Sequence, residues 1–558
     1  MSRLARWIGR FGGSERTPAA PPAVDAAAAT AHAATLERAA QALRARAFAD
    51  AAVEYRRAIE MRHDDAAAHC GLGVASMKLG EDEDAADSFQ LAAHFGEDYA
   101  EPHYNLALLA QRHGDLPAAM AHLERALARN PGYAEAHNLL GACRLAAGDV
   151  DGALTALRQA VKLAPDNAHF QSNLGYVLLR DLGDAAGGAA HLETAMRLNG
   201  DDPAIQCNYC TLLSQQGRLD EVIAICDRLL EVDPGLEEAR LNRGLARLKL
   251  ERYAEAWPDY EARRRTRSNY LPRPYAFPEW RGEPLSGKTV LVYAEQGLGD
   301  EIMFASCLPD LASQAARCIV DCSPRLTALF ARSFPFAQVH GAVQTDGDCE
   351  WLRPLAPVDY QSAAGSLPGF FRRRREDFPA HDGYLRADPA RVAHWRTRFA
   401  ADAPARRIGL AWRGGMASTR RRERSLELAA LASLWQVPDV RFVSLQHDAT
   451  ADEVAAFTAR NGLALDHDAQ VLADLDETAA LISALDLVIT VCSANVHLAG
   501  ALGRPAWVMV PVVAEWRYLA AGERMAWYPS VRLFRQAQAG EWVLVIDAVA
   551  RALTEGGA

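Results

Sequence analysis

Five glycines recur along the first half of the chain at an almost constant spacing. Their positions, separated by 34, 34, 35 and 34 residues on subtraction of their numbers, are Gly80, Gly114, Gly148, Gly183 and Gly217. Further glycines return seven or eight positions earlier in several units, and prolines close three of them. A helical hairpin needs a small residue where its helices touch, glycine at the turn and proline where the second helix ends. The period therefore predicts stacked helix pairs.

A 34-residue period with this pattern resembles the tetratricopeptide repeat. We assign residues 35–268 to a superhelix of about six to seven repeats, behind a flexible Ala- and Pro-rich leader at residues 1–34. The family holds peptides or partner proteins in its concave groove, so the resemblance implies a bound protein or peptide. Asparagines recur at one register position (Asn105, Asn173, Asn208, Asn242). They either line that groove, as in related arrays, or are solvated helix positions.

Composition limits the class of protein. A chain of 558 residues is too long for one core, and its formal charge of -11 argues against a dedicated nucleic-acid binder. No apolar run approaches the roughly 20 residues of a transmembrane segment, so a soluble, cytoplasmic protein is expected. Ten cysteines are dispersed, and the pair Cys207 and Cys210 lies inside a repeat, where packing is the better interpretation than a metal or redox site.

The pattern changes after a proline-rich linker at residues 269–286. Candidate strands then alternate with helical segments, at residues 289–293, 318–321, 338–340, 408–412, 441–446, 487–491 and 507–511. Alternation of this kind predicts doubly wound parallel sheets, and the length favours two of them. The expected fold is α + α/β, with an N-terminal lobe at 287–395 and a C-terminal lobe at 396–558 that ends in a closing helix.

Three turns in this half carry residues suited to chemistry. The first follows the strand at 289–293 and contains Gly297, Gly299 and Asp300, where the aspartate could cap a helix or act as a base. The second ends another strand with Trp412, Arg413, Gly414 and Gly415 and is followed by Arg424; glycine amides with arginine suit a diphosphate. The third joins a buried strand to a helix through Ser493, Ala494, Asn495 and His497, and a helix N-terminus favours phosphate.

Together and in this order, the turns resemble heptosyltransferase-like glycosyltransferases (family 9-like), metal-independent inverting enzymes of the GT-B fold. The resemblance covers about residues 285–553. It implies that Asp300 is the general base, that Arg413 with Gly414 and Gly415 neutralises the departing diphosphate, and that the Ser493–His497 turn binds phosphate. No metal or other cofactor is expected. The family usually has an aspartate and a threonine where this chain has Cys492 and Ser493. Residues 515–518 and 527–536 are rich in aromatic side chains, which could hold a base or sugar or pack on the sheet.

The leading hypothesis is a glycosyltransferase that moves a sugar from a nucleotide-sugar to a protein or glycan acceptor docked with help of the repeats. The alternative is a non-catalytic repeat scaffold with a degenerate GT-B half, which the cysteine at position 492 favours.

Overall fold

The computed structural model describes residues 26–266, 273, 275–341, 350–352, 355, 357–401, 405–415 and 421–556. Most of the expected leader and the first part of the linker lie outside these residues. The chain divides into two compact units. One consists of Met1–Leu178 with Ala185–Gly200, and the other of Leu179–Asp184 with Asp201–Ala558.

The first unit is helical. Its helices are α1 (Ala26–Arg44), α2 (Phe48–Met61), α3 (Ala66–Leu79), α4 (Asp82–Phe95), α5 (Glu101–Arg112), α6 (Leu116–Arg129), α7 (Ala134–Ala146), α8 (Val150–Leu163), α9 (Ala168–Asp181, whose last turn belongs to the second unit) and α10 (Ala185–Asn199). Because α1 begins at Ala26, residues 26–34 are helical, and the leader assignment was wrong for them. Their run of alanines favours helix more strongly than their lack of an apolar pattern suggested.

The repeat glycines have the predicted mechanical roles. Gly80, Gly114 and Gly148 adopt left-handed backbone angles at the turns. A Cβ on Gly73 would lie 2.6 Å from the ring of Phe89, so this glycine allows the two helices of a pair to approach. Aspartates at positions 65, 115 and 149 cap the helices that follow them by accepting a backbone N–H.

The recurring asparagines bond to the preceding repeat. Asn173 donates to Asn138 Oδ1 at 2.9 Å in the first unit, and Asn242 donates to the Cys207 carbonyl at 3.1 Å in the second. In each pair the partner lies 35 residues earlier. The ladder therefore connects neighbouring repeats, which neither of the two sequence interpretations included.

The second unit starts with four more helices: α11 (Pro203–Gln215), α12 (Leu219–Val232), α13 (Glu237–Lys249) and α14 (Tyr253–Tyr260). Residues 26–260 thus contain seven helix pairs. Cys207 and Cys210 are buried with Cys226 in the apolar core of α11 and α12. No group of three His, Cys, Asp or Glu side chains among the described residues is placed to hold a metal ion.

A four-stranded parallel sheet forms the first lobe, in the order β3-β2-β1-β4. Its strands are β1 (Thr289–Tyr293), β2 (Arg317–Cys322), β3 (Ala337–Gly341) and β4 (Tyr360–Ala363). Its helices are α15 (Leu298–Phe304), α16 (Leu308–Ala312), α17 (Thr327–Ser333) and α18 (Pro368–Phe371). The described part of the linker pairs with β4, since Gln361 N donates to Pro278 O and Trp280 N donates to Gln361 O.

A six-stranded parallel sheet forms the second lobe, in the order β10-β9-β8-β5-β6-β7. Its strands are β5 (Arg406–Ala411), β6 (Val440–Ser444), β7 (Leu465–Asp466), β8 (Leu487–Val491), β9 (Ala506–Val510) and β10 (Val531–Arg535). Its helices are α19 (Pro389–Ala400), α20 (Ala451–Asn461), α21 (Ala469–Ala473), α22 (Leu475–Ala484), α23 (Ala494–Ala501) and α24 (Trp542–Thr554). The predicted lobe boundary after residue 395 falls inside α19. Because α19 packs on α22, it belongs wholly to the second lobe.

No helix among the described residues has the length and apolar character needed to cross a membrane.

Candidate functional site

Two predicted turns from different lobes meet in the second unit. Helix α15 follows β1, helix α23 follows β8, and the two helices pack against each other. Gly299 makes this approach possible, because a Cβ there would lie 2.8 Å from His497 Cδ2. The carboxyl edges of the two parallel sheets therefore converge near Asp300 and the start of α23, which is the edge where open α/β sheets bind ligands.

Replacing Gly299 by alanine should loosen this junction. The added methyl group would press on a buried histidine, and overpacking of this kind costs about 1–3 kcal/mol. Gly297→Ala is the matched control from the same turn, because its Cβ would meet only Asp300 Oδ2 at 3.6 Å. Urea unfolding followed by tryptophan fluorescence measures both variants. Equal losses of stability would contradict the proposed contact.

Asp300 is held by an arginine of the second lobe. Arg517 forms an ion pair with Asp300 Oδ1 and a second one with Glu515, and Glu515 also accepts from Arg424 Nη1 at 2.7 Å. The Asp300 and Arg517 side chains are 17% and 12% exposed. The Asp300 side chain is not a cap for α15, which has none. The result is a chain of alternating charges across the junction, from Asp300 to Arg424.

His497 lies in the floor of the site. It is buried on α23, with Nδ1 3.1 Å from the Tyr528 hydroxyl. Burial, together with the charges of Arg517 and Arg424, lowers the pKa of His497 well below its usual value, so the ring is neutral. Tyr384 lies beside this pair and donates from its hydroxyl to the Ile302 carbonyl at 2.7 Å. His497 thus joins the two lobes as a buried neutral group.

The turn before α23 is built by short contacts. Ser493 Oγ lies 3.0 Å from Thr490 Oγ1, Asn495 donates to the Leu445 carbonyl at 3.0 Å, and Ala494 begins the helix. Cys492 is buried, which raises the pKa of its thiol to about 11. A Cβ on Gly414 would lie 2.1 Å from the Cys492 carbonyl oxygen, so the turns after β5 and β8 touch. Gly415 has a left-handed φ of +75°.

Two predicted donor-binding side chains have other roles. Trp412 is fully buried in the core of the second lobe, where its indole cannot meet a ligand. Arg413 binds Glu453 through two contacts, each 2.7 Å long. A diphosphate would have to displace Glu453 to reach this guanidinium. Both residues directly follow β5, as the strand pattern indicated for Arg413, but the partner carboxylate comes from α20, forty residues later.

Sequence reasoning missed an acidic pair behind the first turn. Glu301 is 6% exposed and accepts from Ser323 N at 2.8 Å, and Asp321 is buried beside Arg273 at the end of β2. Burial raises the pKa of Glu301 to about 7, with Asp321 and Asp300 adding to the shift, while the Ser323 amide and Arg273 oppose it. The sequence did contain a signal for this pair, namely a second acidic residue, Glu301, directly after Asp300.

This shift makes stability depend on pH. At a pH below the ordinary value of 4.5, Glu301 is protonated in both the folded and the unfolded chain. As the pH rises from there to about 7, the unfolded chain loses this proton while the folded chain keeps it, so the free energy of unfolding falls. The total is on the order of 3 kcal/mol. Melting curves at pH 5 to 8 should therefore show Glu301→Gln more stable than the wild type at the upper end, with the exposed Glu376→Gln as control. If the melting temperatures of wild type and Glu301→Gln changed in parallel with pH, the raised pKa of Glu301 would be contradicted.

The last helix of the repeats contacts the first turn. Tyr260 on α14 donates to Gln296 Oε1 at 3.3 Å, and Trp257 donates to the Arg372 carbonyl at 2.7 Å. Just after α14, Arg263 is 4% exposed and donates to Glu295 Oε1 through Nη2 at 2.8 Å and Nε at 3.1 Å. This buried ion pair fixes the residues that precede Gly297. Repeat and lobe therefore share one core.

The aromatic segments near the C-terminus are packing elements. Trp516, Tyr518, Trp527 and Tyr528 are all buried, and Trp516 and Trp527 lie edge-on to Trp257. Arg517 reaches Asp300 because its neighbours Trp516 and Tyr518 are fixed in that core.

One relative and several solved structures resemble the chain. Protein FlbA of Caulobacter vibrioides is 32% identical over 401 residues, which cover 69% of this chain and 66% of FlbA. The match thus spans just under two thirds of FlbA, and it is too long to lie within the repeats alone. Pseudomonas aeruginosa PilF is 16% identical, covering 38% of this chain and 97% of its own, with a TM-score of 0.35. The Thermus thermophilus repeat protein TTC0263 is 22% identical, covering 33% and 98%, with a TM-score of 0.29.

Models of the tetratricopeptide repeat match residues 36–100, 110–174 and 179–256. These ranges lie within the segment that α1 to α14 span, where the 34-residue period recurs. The chain has a FlbA homologue, and its helical part is an array of tetratricopeptide repeats.

Proposed function

We propose that the chain is a glycosyltransferase that transfers a sugar from a nucleotide-sugar donor to a protein or glycan acceptor. The observation that carries the proposal is the convergence of two parallel-sheet edges at Asp300. A carboxylate from the first lobe pairs with Arg517 of the second, Arg517 is linked through Glu515 to Arg424, and the helix that carries Asp300 packs on α23. A base and an anion-binding group on opposite sides of one site suit an inverting sugar transfer.

Asp300 would accept the proton of the acceptor hydroxyl as the sugar is attacked. General bases contribute about 10²- to 10⁴-fold to rate, and a carboxylate is chemically suited to the task. On the other lobe, the amides that open α23 and the guanidinium groups of Arg517 and Arg424 would stabilise the leaving diphosphate. Because fixed cations supply this stabilisation, we expect turnover to persist in the presence of a metal chelator.

The repeats would bring the acceptor. Tetratricopeptide arrays bind proteins or peptides, and α14 contacts the turn that carries Asp300 through Tyr260 and Gln296. A protein held by the helices α11 to α14, which belong to the same unit as the site, would then be tethered close to the reacting groups, which raises its local concentration.

A second function is favoured by a specific observation. The charged groups of the site already satisfy one another, Asp300 with Arg517 and Arg413 with Glu453, and Cys492 replaces the family's aspartate. These features suit a scaffold in which the lobes no longer bind a donor and the repeats bind a partner.

Nucleotide binding separates the two functions. The full chain would be incubated with a panel of UDP-, GDP-, ADP-, CDP- and TDP-sugars, with and without EDTA, and its melting temperature and donor hydrolysis measured. A ligand at 100 times its dissociation constant stabilises the folded state by about 2.7 kcal/mol. A shift with one nucleotide class and release of its diphosphate support the enzyme. If no nucleotide-sugar in the panel shifts the melting temperature and none is turned over, the enzyme hypothesis is wrong and the scaffold is favoured.

A further inference from the structure

Arg517 joins the predicted base to the anion-binding side of the site. One of its nitrogens contacts Asp300 of the first lobe, and another contacts Glu515 of its own lobe. Glu515 in turn contacts Arg424, which is also mostly buried. Two guanidinium groups are thus balanced by two carboxylates, with little exposure to water.

The two arginines share one carboxylate. Glu515 contacts Arg424 through Oε1 and Arg517 through Oε2, and burial together with the charge of Arg517 lowers the pKa of Arg424. Two buried cations that share a carboxylate repel each other, and the anions that contact them offset this repulsion. In this structure the anions are Asp300 and Glu515. A diphosphate carries the same charge and binds guanidinium groups in the same bidentate manner.

We propose that a nucleoside diphosphate replaces Asp300 as the partner of Arg517, so that donor binding releases the base for the acceptor. This inference rests on the proposed function, because it describes the order of events at the same site. With the donor absent, Arg517 holds Asp300 in an ion pair, so that Oδ1 faces the guanidinium instead of an acceptor hydroxyl. With the diphosphate bound to Arg517 in place of Asp300, the Asp300 carboxylate turns to the acceptor hydroxyl. The donor therefore binds first.

The exchange predicts an unusual effect of mutation. Asp300→Asn keeps the size of the side chain but offers Arg517 only a neutral acceptor and so competes less with the diphosphate. Diphosphate affinity should therefore rise about tenfold, the size of one charge-assisted contact. Arg517→Gln removes the cation, so affinity should fall at least about tenfold. If Asp300 merely repelled the ligand from a distance, the gain in diphosphate affinity of Asp300→Asn would be small and would disappear at high salt.

Calorimetric titration of the full chain with UDP, GDP, ADP, CDP and TDP tests the proposal. Asp359→Asn is the matched acidic control, since Asp359 pairs with Lys288 at 2.9 Å at the start of β1, the opposite edge of the first sheet. Arg391→Gln is the basic control, since Arg391 pairs with Asp474 and Glu477 on the α19 and α22 side of the second lobe. Both controls should bind the diphosphate within about twofold of the wild type. Melting curves verify that every variant is folded.

The outcomes distinguish this inference from the proposed function. A diphosphate that binds Asp300→Asn no better than the wild type, in a chain that still turns over its donor, overturns the exchange and leaves the enzyme intact. A higher diphosphate affinity in Asp300→Asn together with a lower one in Arg517→Gln supports the exchange. Acceptor binding that is detected only after the diphosphate is added supports it as well. Failure of every diphosphate to bind wild type and Asp300→Asn alike, with no turnover, overturns both.

Discussion

Sugar transfer by the Asp300→Asn variant should fall about 10²- to 10⁴-fold below the wild type, because the amide cannot accept the proton of the acceptor hydroxyl. The structure makes the variant a mild one for folding, since Asp300 is partly exposed and its Oδ1 position can still accept from Arg517. Initial rates with saturating donor and acceptor measure the effect. The fall should be in the maximal rate, because the same substitution is expected to tighten the diphosphate site.

Asp359→Asn is the control for this experiment. It removes a carboxylate paired with a cation in the same lobe, at the amino end of β1 rather than its carboxyl end. Its transfer rate should equal that of the wild type. If Asp300→Asn retains full transfer, Asp300 is not the base, even where the enzyme itself is active.

Unfolding of the second unit should become about 3–5 kcal/mol more favourable in the Arg263→Met variant, the usual cost of leaving one member of a buried ion pair alone. Glu295 is 1% exposed, and no cation other than Arg263 pairs with it among the described residues. Its Oε1 also accepts from Gly365 N at 3.1 Å, and a Cβ on that glycine would lie 2.4 Å from the same oxygen. The carboxylate thus has little room to move toward water.

The double variant Arg263→Met with Glu295→Gln is the control. It removes the stranded charge while retaining an acceptor for Gly365, so it should recover a large part of the lost stability. Urea unfolding followed by the fluorescence of the nearby tryptophans, among them Trp257 and Trp516, measures both. A single variant as stable as the wild type would mean that water reaches Glu295, contrary to its burial here.

Local rules accounted for most of the elements. The repeats followed from glycine spacing, since each turn needs a left-handed residue at a fixed place. The central strands β1, β5, β8 and β9 followed from their β-branched runs. Three strands at or near a sheet edge were missed, β4, β7 and β10. β4 and β7 are short, and in β10 two arginines interrupt the apolar residues, so none presents the continuous apolar run of a strand buried on both faces.

The sequence indicated the separate parts of the candidate site but not how they come together. Sequence indicated the Gly297–Asp300 turn and the Ser493–His497 turn separately, each from a strand that runs into a helix. Their meeting depends on Gly299 against His497, nearly two hundred residues apart, and the arginine on Asp300 comes from 217 residues away. No local pattern marks Arg517 as a partner, because its position is set by the aromatic core around it.

The sequence by itself determined the repeat array, the change to parallel sheets and the presence of an acid after β1, because these depend on backbone geometry and on periodic burial within short segments. The tertiary structure decided which charges meet. Asp300 pairs with Arg517, Arg413 pairs with Glu453, and Trp412 is buried. These outcomes depend on how segments that are distant in the sequence pack together and on how little water remains between them.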